Sequence, residues 1–281
     1  MALYLGIDGG GTGCRAAVAD EDRRVLGRGA AGPANIASDP EGARANILAA
    51  ARAAVVEAGL SESEVPALRA GLGLAGANAG GTVERLRSAL PFASVRIATD
   101  AVAAVKGALG VADGIVAALG TGSVFGLQQA GEVRQIGGWG LVLGDEGSGA
   151  WMGRTLLSRA LRAVDGFVPM TPLLAEVLED HGGAEAVVTF SLWAKPVDFA
   201  RLAPKVVGSL DPAALAVLER ATADVADAVD LLQAGGSLPV VLLGGLGPIY
   251  AERLAGRWPI RPPLGSALDG ALRLAYEGGG P

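Results

Sequence analysis

A chain of 281 residues is long for one ordinary domain and comfortable for two, and with 51% of it apolar it can bury a large core. The net charge of −6, with Arg interspersed among Asp and Glu and no basic face, excludes a nucleic-acid footprint. A single cysteine, Cys14, excludes an internal disulfide and a four-thiolate metal site, and any Ser-His-Asp or Cys-His mechanism would have to use the single histidine, His181.

In chain order, Leu3 to Asp8 is a short apolar run that predicts a buried strand, followed by the glycine turn Asp8-Gly9-Gly10-Gly11-Thr12-Gly13. Cys14 to Ala19 and Val25 to Ala30 predict two more strands. Asp39-Pro40-Glu41 opens a helix: Ser38 or Asp39 can cap it, Pro40 suits its first position, and Gly59 ends it. Leu68 to Leu74 and Ser94 to Ala98 predict strands that each lead into a helix, the second of them Ala101 to Leu109. Gly71 to Gly76 matches GxGxxG but lacks an apolar strand before it, so its glycines are read as the buried strand itself. No GxxxxGK[ST] is present, which excludes a P-loop.

The second half opens the same way. Gly114 to Leu119 predicts a strand, Gly120-Thr121-Gly122-Ser123 a glycine turn, and Val124 to Gln129 and Val133 to Ile136 two further strands. Thr12 and Thr121 are 109 positions apart, and at that offset Gly11 meets Gly120, Gly13 meets Gly122, Val18 meets Leu127 and Gly29 meets Gly138. This is a duplication on the scale of a domain. The expected division is 1–112 and 113–281, with helices inserted over about 150–233 and a last helix, Leu264 to Tyr276, that can return to pack on the first domain. His181 reads as an exposed turn after one of the inserted helices. Leu231 to Ala251 carries no charge, but Gly235, Gly236, Pro239, Gly244, Gly245, Gly247 and Pro248 break it too often for a membrane span of about 20 residues. It reads as loop, the buried strand Val240 to Leu243, then a glycine turn. With no basic n-region at the N-terminus, the expectation is a soluble, cytoplasmic protein with no membrane or nucleic-acid partner.

A glycine turn after a strand presents successive backbone N–H groups, a nest for an anion, and lets a phosphate approach with no Cβ in the way. Thr12 and Thr121 add hydroxyls. Either turn alone reads equally as an ordinary hairpin; two at duplicate positions point to a cleft that holds one triphosphate, closing when substrate binds. Asp8, beside the first nest, suits Mg²⁺ as a hard oxygen ligand, or bonds its own turn amides. Asp100 either caps the helix it opens or acts as general base, taking the proton of a hydroxyl that attacks the γ-phosphate. Gly137-Gly138-Trp139-Gly140 and Gly144-Asp145-Glu146-Gly147 form a third block, in which Asp145 can accept from vicinal sugar hydroxyls and Glu146 can cap the next helix.

Together, Asp8 to Thr12, Thr99-Asp100, Gly120 to Ser123, Gly137 to Gly140, Gly144 to Gly147 and Leu243 to Gly245 resemble the N-acetylglucosamine kinase and bacterial glucosamine kinase family, over nearly the whole chain and in the same order. The resemblance implies an α/β fold of two ribonuclease-H-like, actin-like ATPase domains with a cleft between them and a helical insertion in the second. It implies transfer of the ATP γ-phosphate to the 6-hydroxyl of N-acetylglucosamine or glucosamine, with ATP and Mg²⁺. By the same resemblance Asp100 is the catalytic base. Gly10, Gly11, Thr12, Gly13, Gly120, Thr121, Gly122 and Ser123 hold phosphates, Gly244 and Gly245 hold adenosine, and Asn35, Gly138, Trp139 and Asp145 contact the sugar with Asp100. Relatives often carry Lys, Arg or Ser near Gly13 and Cys14, and Arg15 is the residue placed to compensate. The same branch includes ATPases that hold an iron–sulfur cluster between subunits; these need at least two cysteines per chain, and this chain has one. A non-catalytic sugar or nucleotide sensor is the other alternative. The inserted helices offer a surface for a homodimer.

Overall fold

The computed structural model describes residues 2–78 and 81–277. The first sheet comprises β1 (Tyr4–Gly9), β2 (Cys14–Ala19), β3 (Val25–Ala31), β4 (Arg69–Leu74) and β5 (Ser94–Thr99), in the order β3-β2-β1-β4-β5. The first three strands are antiparallel neighbours, whereas β4 and β5 join in parallel. Parallel pairing needs crossover helices. These are α1 (Pro40–Glu57) and α2 (Thr82–Ala89), and β5 runs directly into α3 (Asp100–Leu109). Of the two candidate caps for α1, Asp39 is the one used: its carboxylate accepts from the Gly42 N–H at 2.9 Å, with Pro40 at the first helical position.

Many glycines serve close packing of helices on strands. A Cβ at Gly29 would meet the Ala50 carbonyl of α1 at 2.2 Å. Gly71, in the GxGxxG run, would meet the Ala271 carbonyl at 2.2 Å, and Gly73 would meet Ala103 Cβ at 2.3 Å. The run is therefore β4 itself, stripped of side chains so that two helices can lie on it. The opposite face of the sheet is lined by Leu5, Ile7, Leu72 and Leu74, all fully buried with Ile47 of α1.

The second sheet comprises β6 (Gly114–Leu119), β7 (Ser123–Gln129), β8 (Glu132–Gly137) and β9 (Val240–Leu243), in the order β8-β7-β6-β9 with β6 and β9 parallel. It repeats the pattern of the first sheet, three strands in succession and then a parallel addition beside the first, which is the duplication seen at the 109-residue offset. Both sheets follow the ribonuclease-H-like plan. Between β8 and β9 run α4 (Gly149–Val164), α5 (Pro172–His181), α6 (Ala184–Trp193), α7 (Pro196–Ala200), α8 (Ala203–Val207) and α9 (Pro212–Gln233). After β9 come α10 (Gly247–Arg253) and α11 (Ala267–Glu277). Among the described residues no helix is long and apolar enough to cross a membrane.

Two compact units result: one of Met1–Gly114, Leu127–Arg134 and Pro262–Pro281, the other of Ile115–Gly126 and Gln135–Arg261. In the first, α11 packs on β1, β4 and α3. The turn between β7 and β8 also belongs to it: buried Gln128 donates to the Gly110 and Ala112 carbonyls at 3.0 and 2.8 Å. Helix α11 starts at Ala267 rather than at Leu264. Ser266 and Asp269 form a reciprocal capping box there, with the Ser266 N–H and hydroxyl each donating to Asp269 at 2.7 Å. His181 is no free turn; it is the last residue of α5, its Nδ1 lies 2.8 Å from the Val177 carbonyl, and its ring meets Phe190 edge-on.

Candidate functional site

In the first unit the turn between β1 and β2 is closed by the Gly10 N–H, which donates to the Gly13 carbonyl at 2.9 Å. Gly11 and Thr12 are exposed. A Cβ on Gly11 would meet no atom within 4 Å, and its φ lies outside the left-handed region. The chain itself therefore does not demand glycine there. Asp8 stands opposite Arg15 in the β1–β2 register, and the two side chains form an ion pair in which Asp8 is only 12% exposed. Asp8 thus bonds Arg15. Cys14 is buried next to it, and burial together with the Asp8 charge pushes its thiol up to about 12, so it stays protonated and is a poor nucleophile.

The Asn35 loop is fastened to this turn. The Ala34 N–H donates to the Gly10 carbonyl at 2.8 Å and the Ile36 N–H to the Ala75 carbonyl at 3.0 Å. Asn35 Oδ1 accepts from the Ala37 and Ser38 N–H groups at 3.0 and 3.2 Å, an Asx turn that fixes the amide and leaves Nδ2 as the group to offer a ligand.

Asp100 is the first residue of α3 and not its cap. Thr99 caps the helix, its hydroxyl accepting from the Val102 N–H at 3.2 Å, while Asp100 Oδ1 accepts from the adjacent Ala101 N–H at 2.9 Å. The Asp100 side chain reaches solvent, yet the protein around it removes enough water to raise its pKa. The Ala101 N–H opposes that rise and the Asp8 charge adds to it.

In the second unit, Gly120 to Ser123 forms the matching turn, with the Gly120 N–H donating to the Gly122 carbonyl at 3.0 Å. A Cβ on Gly120 would again meet nothing within 4 Å. The start of α4 is tied to this turn: the Gly149 and Ala150 N–H groups donate to the Gly120 and Thr121 carbonyls at 2.8 and 3.1 Å. Ser148, not Glu146, caps α4, accepting from Trp151 at 3.1 Å on its hydroxyl and from Met152 at 2.9 Å on its carbonyl. All four leading amides of α4 are thereby satisfied within the protein. The buried Ser123 hydroxyl donates to the Glu146 carbonyl at 2.8 Å.

Asp145 is 8% exposed and has a left-handed backbone, φ 60°. Its Oδ1 accepts from the Gly140 N–H at 3.1 Å, and its Oδ2 is 2.9 Å from where a Gly122 Cβ would stand. Burial raises its pKa; the Gly140 and Ser123 amides lower it, and the Glu146 charge raises it further. The Gly138 N–H donates to the Ser123 carbonyl at 3.1 Å, which fastens the third glycine block to the second turn and leaves Trp139 72% exposed. Gly244 has φ 86°, and a Cβ on it would meet the Leu119 carbonyl at 2.3 Å; Gly245 is open. The second unit thus gathers Gly120 to Ser123, Gly138, Asp145 and Gly244, and the first gathers Asp8, Gly10 to Gly13, Asn35 and Asp100. Sequence reasoning missed Thr99 and Ser148 as caps, although both are residue types that cap helices. It also missed Tyr250, whose hydroxyl reaches the Gly147 carbonyl and for which no local signal exists.

Two ribonuclease-H-like units, each opening on strand, glycine turn and strand, define an actin-like ATPase fold of the kind found in sugar kinases. This chain belongs to the BadF/BadG/BcrA/BcrD ATPase family, whose model matches residues 5–251. It is 33% identical over 284 residues to the glucosamine kinase GspK of Vibrio cholerae, with 98% of this chain and 96% of that protein covered. It is 34% identical, with a TM-score of 0.84, to the crystal structure of a candidate N-acetylglucosamine kinase from Chromobacterium violaceum, covering 98% of this chain and 99% of that one. The ROK hexokinase of Thermus thermophilus shares the fold at 20% identity and a TM-score of 0.57, covering 98% of this chain and 97% of that one.

Proposed function

We propose that this protein transfers the γ-phosphate of ATP to a hydroxyl, the 6-hydroxyl, of glucosamine or N-acetylglucosamine. The observation that carries the reading is Asp100: a carboxylate at the end of a strand, relieved of capping duty by Thr99 and shifted upward in pKa by its surroundings and by Asp8. The kinase names of the full-length relatives support the sugar class.

In this reading the Gly10–Gly13 and Gly120–Ser123 turns receive the phosphates through backbone N–H groups, with the Thr12 and Thr121 hydroxyls adding donors. Gly244 and Gly245 border the adenosine, and Asn35, Gly138, Trp139 and Asp145 orient the sugar. Asp100 accepts the proton of the attacking hydroxyl as the new O–P bond forms and the bond to ADP breaks, giving sugar phosphate and ADP.

Asp8 fits Mg²⁺. It is a nearly buried hard oxygen donor beside the first turn, and with its Oδ2 bonded to Arg15, Oδ1 is the oxygen it would offer the ion. Bound there, Mg²⁺ would neutralise charge on the phosphates.

A coupled ADP-release assay with glucosamine, N-acetylglucosamine, N-acetylmuramate and glucose tests the reading, and phosphorus NMR of the product locates the phosphate. Failure to release ADP with any of these sugars would overturn it.

A further inference from the structure

Tyr250 lies on α10, just beyond Gly244 and Gly245, and its side chain is fully buried. Its hydroxyl donates to the Gly147 carbonyl at 2.5 Å. Burial, and then the Asp224 charge, raise its pKa well above the ordinary tyrosine value, so it remains a donor at any working pH.

Gly147 belongs to an unusual segment. It has φ 77°, and Asp145, two residues earlier, is also left-handed. Glycine adopts this backbone freely, whereas at Asp145 it persists because the surroundings hold it. Each carbonyl of the segment has a partner: Asp145 O accepts from the Ser148 N–H at 3.0 Å, Glu146 O from the Ser123 hydroxyl at 2.8 Å, and Gly147 O from Tyr250.

These bonds join into a closed ring within the second unit. From Gly147 the chain enters α4, whose Gly149 and Ala150 N–H groups hold the Gly120 and Thr121 carbonyls. The adjoining Leu119 carbonyl accepts from the Leu246 N–H at 3.1 Å, and Leu246 immediately precedes α10. Tyr250, one turn into α10, returns to Gly147. The turn Gly120–Ser123 is therefore gripped from α4 and from the start of α10, and the Tyr250 hydroxyl ties one grip to the other.

We propose that Tyr250 is a positioning residue that, through the Gly147 carbonyl, keeps the turn Gly120–Ser123 in the shape that receives the phosphates of ATP. The proposal rests on the reading of that turn as a phosphate loop. Tyr250 itself touches neither nucleotide nor sugar.

Tyr250→Phe removes the hydroxyl and keeps the ring. Calorimetric titration with the non-hydrolysable ATP analogue AMPPNP and Mg²⁺ should show affinity weakened about tenfold, the scale of one buried carbonyl left without its donor. The KM for ATP should rise by a similar factor, with kcat changed less than about threefold. Val177→Ala, which trims a buried side chain of α5 in the same unit, serves as the control: it should lower the melting temperature and leave affinity for the analogue unchanged. If Tyr250→Phe melts earlier but binds the analogue like the wild type, or if Val177→Ala weakens binding equally, the hydroxyl only stabilises the fold and the proposal fails. Absence of analogue binding and of sugar-dependent ADP release in the wild type would overturn the kinase reading and this proposal together.

Discussion

Asp8 and Asp100 lie at the same end of the first sheet, where burial raises the pKa of Asp100 and the charge of Asp8 adds to the rise. The strand register explains how. Asp8 is level with Gly73 on β4, and the space where Gly73 would carry a side chain is filled by Ala103 of α3, the helix that Asp100 begins. In-register residues of neighbouring strands share a face, so Asp8 projects on the side of the sheet where α3 starts. A general base must be ionised, and a raised pKa means that kcat/KM falls at a higher pH than it would for an ordinary aspartate. Asp8→Asn should move the Asp100 titration, followed by carbon NMR of its carboxyl in the free protein, to lower pH. An unmoved midpoint would show that the two carboxylates are uncoupled.

Asp100→Asn should abolish phosphoryl transfer, by about 10²–10⁴-fold for loss of a general base, while affinity for AMPPNP survives. Its effect on stability has a definite sign. With a folded-state pKa raised above the unfolded value, Asp100 contributes stability that is fully present below the unfolded pKa and is lost as pH rises through the folded one. At neutral pH that contribution is gone, so the variant should melt at or above the wild-type temperature. The wild type should gain on it as pH falls toward the ordinary carboxylate range. A variant that melts well below the wild type at pH 7 would show that ionised Asp100 supports the fold.

The glycines separate into two kinds, and paired substitutions distinguish them. Gly11→Ala adds a methyl to open space at an ordinary φ, so folding stability should change by less than about 0.5 kcal/mol while the KM for ATP rises. Gly244→Ala places a Cβ at φ 86° and 2.3 Å from the Leu119 carbonyl, so it should cost on the order of 1–3 kcal/mol in a denaturant titration. Equal destabilisation by the two would mean that Gly11 is needed by the fold and not by a ligand.

What the sequence disclosed about this molecule was what short range encodes. Asp39-Pro40-Glu41 marked the start of α1, the glycine turns marked the hairpins, and the match of Thr12 with Thr121 exposed the repeated plan before either sheet was seen. Adjacent candidates defeated it. Thr99 and Asp100 are both good capping residues, and which one caps α3 depends on the path of the chain leaving β5. Leu264 extended the apolar pattern of α11 past the Ser266–Asp269 capping box that in fact begins it. The setting of Asp145, folded back onto Gly122, and the bond from Tyr250 to Gly147 across 103 positions leave no local trace. Buried polar partners of that kind are selected by the finished backbone, through the need to satisfy each buried carbonyl.

Asn35 gives the sharpest test of sugar recognition because its two amide atoms have different duties. Oδ1 accepts from the Ala37 and Ser38 N–H groups, so Nδ2 is the donor left to meet a substrate oxygen. Asn35→Asp keeps the Asx turn and replaces that donor with a charged acceptor. The melting temperature should hold, and the KM for N-acetylglucosamine should rise by tenfold or more, since a lost hydrogen bond in a substrate site is worth about 1–3 kcal/mol. Glucosamine, a cation at neutral pH, should suffer less than the neutral N-acetyl sugar, because the new carboxylate attracts its ammonium group. Asn35→Ala removes both duties and should lose about 1 kcal/mol of stability as well. An Asn35→Asp enzyme with unchanged KM for both sugars would place Nδ2 away from the substrate.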